Sequence, residues 1–317
     1  MAGIVDFEVR LPGGVATVQE MRAASGLVPA EILEITHTSR FPVLGEGELA
    51  WELAAEAGQT LLKRAGVAPG DIGVVICAGS GEWDLPFWSP AAGIAAELGI
   101  DQAHCFEVTN FCNGAMAALQ VAADKIDLGR TEHALVLVGD RLSQLVDYHD
   151  PESKALFNFG DAPAAILLSR EGSLELIHSA MRTDPAWAHY YSGDIEDDRI
   201  VMRRRGHRGG LGDAYLRNFV ELTNDTLSAL DLPLSAVSWF LINQGDQGMH
   251  ERVLAALGLP AERSVFNYHR YGHMGGSDPF IALADLRDQG RLTPGGTVLV
   301  ASSGMGFTWG ITALRCR

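Results

Sequence analysis

Basic residues are scarce in this chain: 24 Lys and Arg stand against 40 Asp and Glu, a formal net charge of −16. That balance argues against nonspecific binding to nucleic acid or an anionic membrane, both of which favour a basic surface. Cysteine is scarcer. Cys77, Cys105, Cys112 and Cys316 are the only four, and no two are spaced as C-x-x-C, so a zinc ribbon or dithiol redox motif is not expected. No apolar run reaches the length of a membrane span. Met1 to Arg10 alternates like a strand and carries Asp6 and Glu8, so no signal peptide is expected. These absences predict a soluble cytoplasmic protein with reduced thiols.

What is present is apolar bulk. Hydrophobic residues make up 47% of 317 positions and charged residues 20%, enough for a sizeable core in one α/β unit or two packed halves. A faint internal repeat favours the halves. Leu61 to Val67 reads as a helix end that passes through Pro69-Gly70-Asp71 into a strand, Ile72–Cys77. Thr226 to Leu232 passes through Pro233 and Ser235 into a strand, Val237–Ile242, in the same way. A helix containing Ala118-Leu119 then precedes the strand Ala134–Val138, and one containing Ala282-Leu283 precedes the strand Thr297–Ala301. A period of about half the chain is too long for a solenoid and fits a duplicated α/β half. The expected division is 1–170 and 171–317, with one shared core. Asp194 to Gly212 is expected to be a mobile insertion.

Cys112 sits where a strand end or tight turn meets a small-residue helix, Asn113-Gly114-Ala115-Met116-Ala117-Ala118-Leu119. The unpaired N–H groups and positive dipole end of a helix start favour a thiolate, the nucleophilic form. A free cysteine is commonly just a buried one. Cys77 and Cys105 fit that description in their strand-like runs, and Cys316 carries no signal. Far downstream, Tyr271-Gly272-His273-Met274-Gly275-Gly276-Ser277-Asp278-Pro279 precedes the matching helix of the second half. In the duplicated register the two helix starts face one another, which would bring His273 to Cys112. His273 is then a candidate general base. Its flanking glycines permit unusual backbone conformations. His269 lies in a strand-like run (Val265 to Tyr268) and is a distant second choice. Asp278 is a candidate orienter of His273, although its place before Pro279 also suits a helix N-cap. Asp246 is the rival orienter.

With these residues in view, the chain resembles the β-ketoacyl-acyl carrier protein synthase III family of the thiolase fold. The resemblance spans nearly the whole chain. It is carried by Asn110–Leu119, Phe159-Gly160-Asp161-Ala162, Asn243-Gln244-Gly245-Asp246, Tyr271-Gly272-His273 and Gly304-Met305-Gly306-Phe307-Thr308-Trp309-Gly310. It implies a layered αβαβα architecture of two pseudo-symmetric halves, and a homodimer. It also implies transfer of an acyl group from coenzyme A or acyl carrier protein onto Cys112, with no metal or redox cofactor. By the same resemblance Gly306 and the Cys112 N–H form a backbone oxyanion site. Phe87, beside Pro86 and Trp88, lies in the loop that enters the partner's acyl pocket, and Trp83 in the preceding segment helps shape it.

The departures narrow the expectation. Condensing members carry His-Gln-Ala-Asn where this chain has Asn243-Gln244-Gly245-Asp246, and Gly-Asn where it has Gly272-His273. Decarboxylative condensation uses both a His and an Asn as donors to the developing enolate, and exchanging them moves the imidazole. The altered pattern is similar to that of acyltransferases of antibiotic pathways, such as cervimycin and daunorubicin biosynthesis, which use a Cys (or Ser)-His-Asp constellation. The expected activity is therefore acyl transfer through acyl-Cys112 to a hydroxyl, amine or thiol, on a small molecule or a carrier. A condensing enzyme with a rearranged site and a noncatalytic dimer partner are the alternatives. Asn243 is a candidate donor to a thioester carbonyl or acceptor, or simply a polar residue ending a strand. Arg203, Arg204, Arg205 and Arg208 form the one dense basic run. It reads as a docking patch for an acidic carrier protein or coenzyme A phosphates, or as a solvated loop. Leu33, His37 and Gly248 replace residues that grip coenzyme A in relatives, which favours a carrier-protein donor.

Overall fold

A computed structural model describes residues 1–317. The strands are β1 (Gly3–Val9), β2 (Gly14–Thr17), β3 (Arg40–Val43), β4 (Ile72–Gly79), β5 (His104–Thr109), β6 (His133–Val138), β7 (Ala164–Ser169), β8 (Leu174–Thr183), β9 (Tyr191–Glu196), β10 (Arg199–Arg204), β11 (Val237–Ile242), β12 (Thr297–Gly304) and β13 (Thr308–Cys316). The helices are α1 (Val18–Ser25), α2 (Pro29–Thr36), α3 (Ala50–Ala65), α4 (Pro90–Glu97), α5 (Gly114–Asp127), α6 (Leu211–Ala229), α7 (Gln247–Leu257) and α8 (Asp278–Asp288). No helix is long and apolar enough to cross a membrane.

Nine strands join in the order β11-β12-β13-β8-β1-β7-β6-β4-β5. A parallel pair, β4 with β6, is followed by antiparallel β7. Another, β11 with β12, is followed by antiparallel β13. The central strands are apolar throughout because both faces are buried. In β6, Ala134, Val136 and Val138 pack inward against α5, while Leu135 and Leu137 pack with residues of α3 and α4. In β12, Val298 and Val300 join the cluster of α5 and α8, and Leu299 and Ala301 join that of α6 and α7. Two-residue periodicity thus places one helix layer on each side of every inner strand. The layers run α3/α4, sheet, α5/α8, sheet, α6/α7, the αβαβα arrangement expected.

Two expectations about loops fail. Residues 194–212 are not an irregular insertion: β9 and β10 pair antiparallel from Arg199↔Glu196 to Arg204↔Tyr191, and α6 begins at Leu211. Alternating inward residues, Ile200 and Met202, pack this hairpin onto the cluster that contains Cys112, a packing signal the charges obscure. Val265–Tyr268 forms no strand and His269 is exposed, because Gln244 rather than a neighbouring strand satisfies this backbone: it donates to Val265 O (2.7 Å) and accepts from Asn267 N (2.7 Å).

Candidate active site

Cys112 lies in a short 3-10 turn, Phe111–Asn113, that leads into α5. The turn forms after Phe111 takes a positive φ of 50°, a conformation costly for a side chain of that size and recurrent where a residue must be aimed. Ser302 Oγ donates to the Cys112 carbonyl (2.8 Å), tying the turn to β12. The thiol is 7% exposed.

His273 approaches from the turn before α8. Its Nε2 is 3.4 Å from Cys112 Sγ. Its Nδ1 is 2.5 Å from Asp278 Oδ2. Three backbone interactions fix the ring's root: His273 N donates to Asn158 O (2.6 Å), Gly160 N donates to His273 O (3.0 Å), and Phe159 forms a β-bridge with His273. The Phe159 ring stands edge-on to the imidazole at 5.1 Å. Glycines permit the close fit, but only Gly275 does so through a positive φ (58°). A Cβ on Gly272 would lie 2.2 Å from Asn158 O, and one on Gly276 would lie 3.3 Å from the Ala115 Cβ. Space, more than the conformational freedom expected, requires them.

Asp278 is not the cap of α8. Ser277 takes that position, and the Asp278 carboxylate turns inward. Its Oδ2 also accepts from Gln244 N (2.7 Å), and its Oδ1 from Met274 N (2.9 Å). Asp246, the rival, caps α7 by accepting from Met249 N (2.7 Å). The carboxylate on the imidazole is therefore Asp278, because Asp246 is committed to a helix start.

Desolvation pulls the pKa of the buried His273 ring down. The charges of Cys112 and Asp278, with their hydrogen bonds, outweigh it and leave the pKa raised to about 10. The ring therefore stays protonated at neutral pH. Nearby, burial pushes the Asp140 carboxyl up to about 6 although it accepts from Ser80 N (2.7 Å). No group of three or more His, Cys, Asp or Glu converges as metal ligands would.

A cavity of about 370 Å³ opens onto Cys112 and His273. Tyr190, Tyr191, Tyr215 and Phe307 give it aromatic walls, and Asn243, Asp246 and Arg204 reach it as well. Asn243 directly follows β11 at the cavity wall and is partly engaged there. Its Oδ1 accepts from Ser303 N (3.2 Å) and its Nδ2 donates to Ser303 O (3.4 Å), joining the ends of β11 and β12. Gly306 lies in the turn between β12 and β13 at φ 119°, between the cavity-lining Met305 and Phe307.

Other expected binding residues fall outside this cavity. Trp83 packs against the α3/α4 cluster. Phe87 projects fully into solvent at φ 51°. Acidic neighbours neutralise two of the four arginines in the basic run, Arg203 and Arg205, while Arg204 and Arg208 have no carboxylate partner. Arg203 pairs with Asp147 (2.8 Å), Asp150 (3.4 Å) and Glu196 (2.7 Å), and Arg205 pairs with Asp194. Of the four, Arg204 alone lines the cavity. Sequence reasoning also missed Gln244, Asn158, Tyr215 and Ser303. Gln244 stood inside a motif already singled out; the other three carry no local signal.

Residues 106–185 match the family described as 3-oxoacyl-[acyl-carrier-protein] synthase III, and residues 227–316 match its C-terminal region. A β-ketoacyl-[acyl-carrier-protein] synthase III of Rhizorhabdus wittichii is 29% identical over 288 residues, covering 90% of this chain and 89% of that protein. The crystal structure of the Aquifex aeolicus 3-oxoacyl-[acyl-carrier-protein] synthase III superposes with a TM-score of 0.89 at 23% identity, over 99% of this chain and 100% of that one. An acyltransferase, ChlB3, superposes with a TM-score of 0.82 at 23% identity, over 99% and 97% of the two chains. The two family matches share one name and together span more than half of the sequence, and the chain belongs to the 3-oxoacyl-[acyl-carrier-protein] synthase III-like family of thiolase-fold enzymes.

Proposed function

We propose that this protein is an acyltransferase of the Cys-His-Asp subgroup, working in a specialised polyketide-type pathway. Cys112 attacks an acyl thioester, the donor's carbon–sulfur bond breaks, and the proton on His273 passes to the departing thiol. The Cys112 and Gly306 N–H groups receive the oxyanion. Acylation removes the charge of Cys112, the foremost influence raising the His273 pKa. The ring then becomes the base that takes a proton from the acceptor hydroxyl, amine or thiol. The attacking atom closes on the carbonyl and expels Cys112. Asp278 orients the ring throughout.

The observation that carries this reading is the continuous contact from Cys112 Sγ through His273 to Asp278, at 3.4 and 2.5 Å. Both ring nitrogens are engaged, and the Asn243 side chain is tied to Ser303 through its Oδ1 and one of its two amide N–H groups. His273 stands where condensing relatives carry Asn, and Asn243 where they carry His, so the donor pair of a condensation is exchanged in position. The named relatives are synthases, so decarboxylative condensation is the second reading. Intact-mass spectrometry with a panel of acyl thioesters tests the first step. A mass increase on Cys112 with no carbon dioxide released from malonyl thioesters, followed by transfer to an added acceptor, supports transfer. Carbon dioxide release with a new carbon–carbon bond overturns it. The donor is a carrier-protein phosphopantetheine or coenzyme A thioester, which enters as substrate. Residues 1–170 and 171–317 form the nucleophile-bearing and base-bearing halves in this reading. The active form is a homodimer, with the exposed Phe87 reaching the partner's cavity.

A further inference from the structure

The β10 segment alternates in charge satisfaction. Arg203 and Arg205 face Asp147, Asp150, Asp194 and Glu196 and are ion-paired. Arg204, on the opposite face, has no carboxylate partner. Its Nε donates to Gly206 O (3.2 Å), and its guanidinium carbon sits 5.3 Å from the centre of the Tyr190 ring. The terminal nitrogens find no acceptor in the chain. Met202, two residues earlier on the same face, packs in the cluster that contains Cys112.

Arg204 is the sole Lys or Arg on the wall of the Cys112 cavity, among Leu156, Phe159 and the two tyrosines. The single carboxylate there, Asp246, caps α7 and makes no ion pair with it. A guanidinium in a largely apolar cavity calls for an anionic partner, and its planar fork fits a carboxylate with two parallel hydrogen bonds. One guanidinium balances one carboxylate. A phosphate would bring more charge into a cavity that already holds Asp246.

Resting on the acyl-Cys112 reading, we propose that the acyl group carries a carboxylate at its far end, seated on Arg204. The donor is then a half-thioester of a dicarboxylic acid. Cys112 forms the new carbon–sulfur bond, the donor's bond breaks, and its thiol leaves with the proton from His273. The distal carboxylate takes no part beyond positioning the carbonyl.

Succinyl and butanoyl thioesters of N-acetylcysteamine match in carbon count, differ in the terminal carboxylate and contain no phosphate. Wild type is expected to acylate faster with the succinyl donor by about 10- to 100-fold, the range of a charge-assisted hydrogen bond. In Arg204→Met that ratio should fall to about one, and in Arg204→Lys to an intermediate value. A wild-type ratio of one or below overturns the proposal, as does a ratio unchanged in Arg204→Met. A defect confined to coenzyme A donors assigns Arg204 to phosphate instead and also overturns it. Saturation-transfer NMR with glutarate against pentanoate reads the same preference without chemistry. If no thioester labels Cys112, the acyltransferase reading fails, and this arm still decides the carboxylate site: signal from glutarate over pentanoate in wild type, lost in Arg204→Met, sustains it, and equal signals refute it.

Discussion

α5 and α8 lie together between the two sheet faces, and each begins with a short 3-10 turn. The turn before α5 carries Cys112, and no acidic residue stands in the first turn of that helix. The first turn of α8 carries Asp278, whose carboxylate accepts from Gln244 N, Met274 N and the His273 ring. The positive end of α8 thus faces a carboxylate of its own chain, while that of α5 has none and can favour charge on sulfur. Equivalent positions in the fold supply a thiol in one case and a held, oriented imidazole in the other.

Five expected results test that contrast. Cys112→Ala should abolish acyl-enzyme formation, and intact mass after incubation with acyl thioesters measures it. Labelling retained elsewhere would move the nucleophile off α5. His273→Ala should lower the transfer rate about 10²- to 10⁴-fold, the range for general acid–base catalysis. An unchanged rate would leave Cys112 without its base. Asp278→Asn should slow transfer about 10²-fold or more through loss of ring orientation. It should also cost about 1–3 kcal/mol of stability, because buried N–H donors lose part of their acceptor; denaturant melts beside single-turnover rates separate the two effects.

The pH profile sharpens the contrast further. A His pKa raised to about 10 in the free protein predicts an acylation rate that is level from neutral pH and falls only above about 10. Once Cys112 is acylated, the transfer rate should inflect nearer the ordinary imidazole value of about 6.5 and rise with pH. Stopped-flow profiles of the two steps check this; coincident inflections would refute it. The smallest effect is expected from Asp246→Ala. Loss of the α7 cap should cost about 1 kcal/mol and change rates only a few-fold. A loss as large as that of Asp278→Asn would show that both carboxylates serve the ring.

Much of the fold was legible in the residues. The runs Ile72–Cys77, Ala134–Val138, Val237–Ile242 and Thr297–Ala301 are apolar on both faces, a pattern that suits inner strands, and each became one. The start of the α5 region was visible in its small residues, and the helix spans Gly114–Asp127. The polar network was less legible. Asn243 read equally as a substrate donor or a polar strand end, because nothing local reveals that β12 brings Ser303 alongside it. The arginine run read as a docking patch or a solvated loop, and two of the partners of Arg203, Asp147 and Asp150, lie some fifty positions away.

The sequence by itself determined which groups could do chemistry and on which kind of element each would sit, since burial period and turn residues are local properties. Cys112 before a helix, His273 and Asp278 at the start of another, and two duplicated α/β halves follow from that, while the layered architecture was implied by the family resemblance. Only the tertiary structure decided the partners. It placed Asp278 rather than Asp246 on the imidazole, tied Asn243 to Ser303, and left Arg204 alone among its neighbours facing the cavity. The reason is physical: a hydrogen bond or ion pair is settled within about 3 Å in space, and the chain's own order carries no such distance.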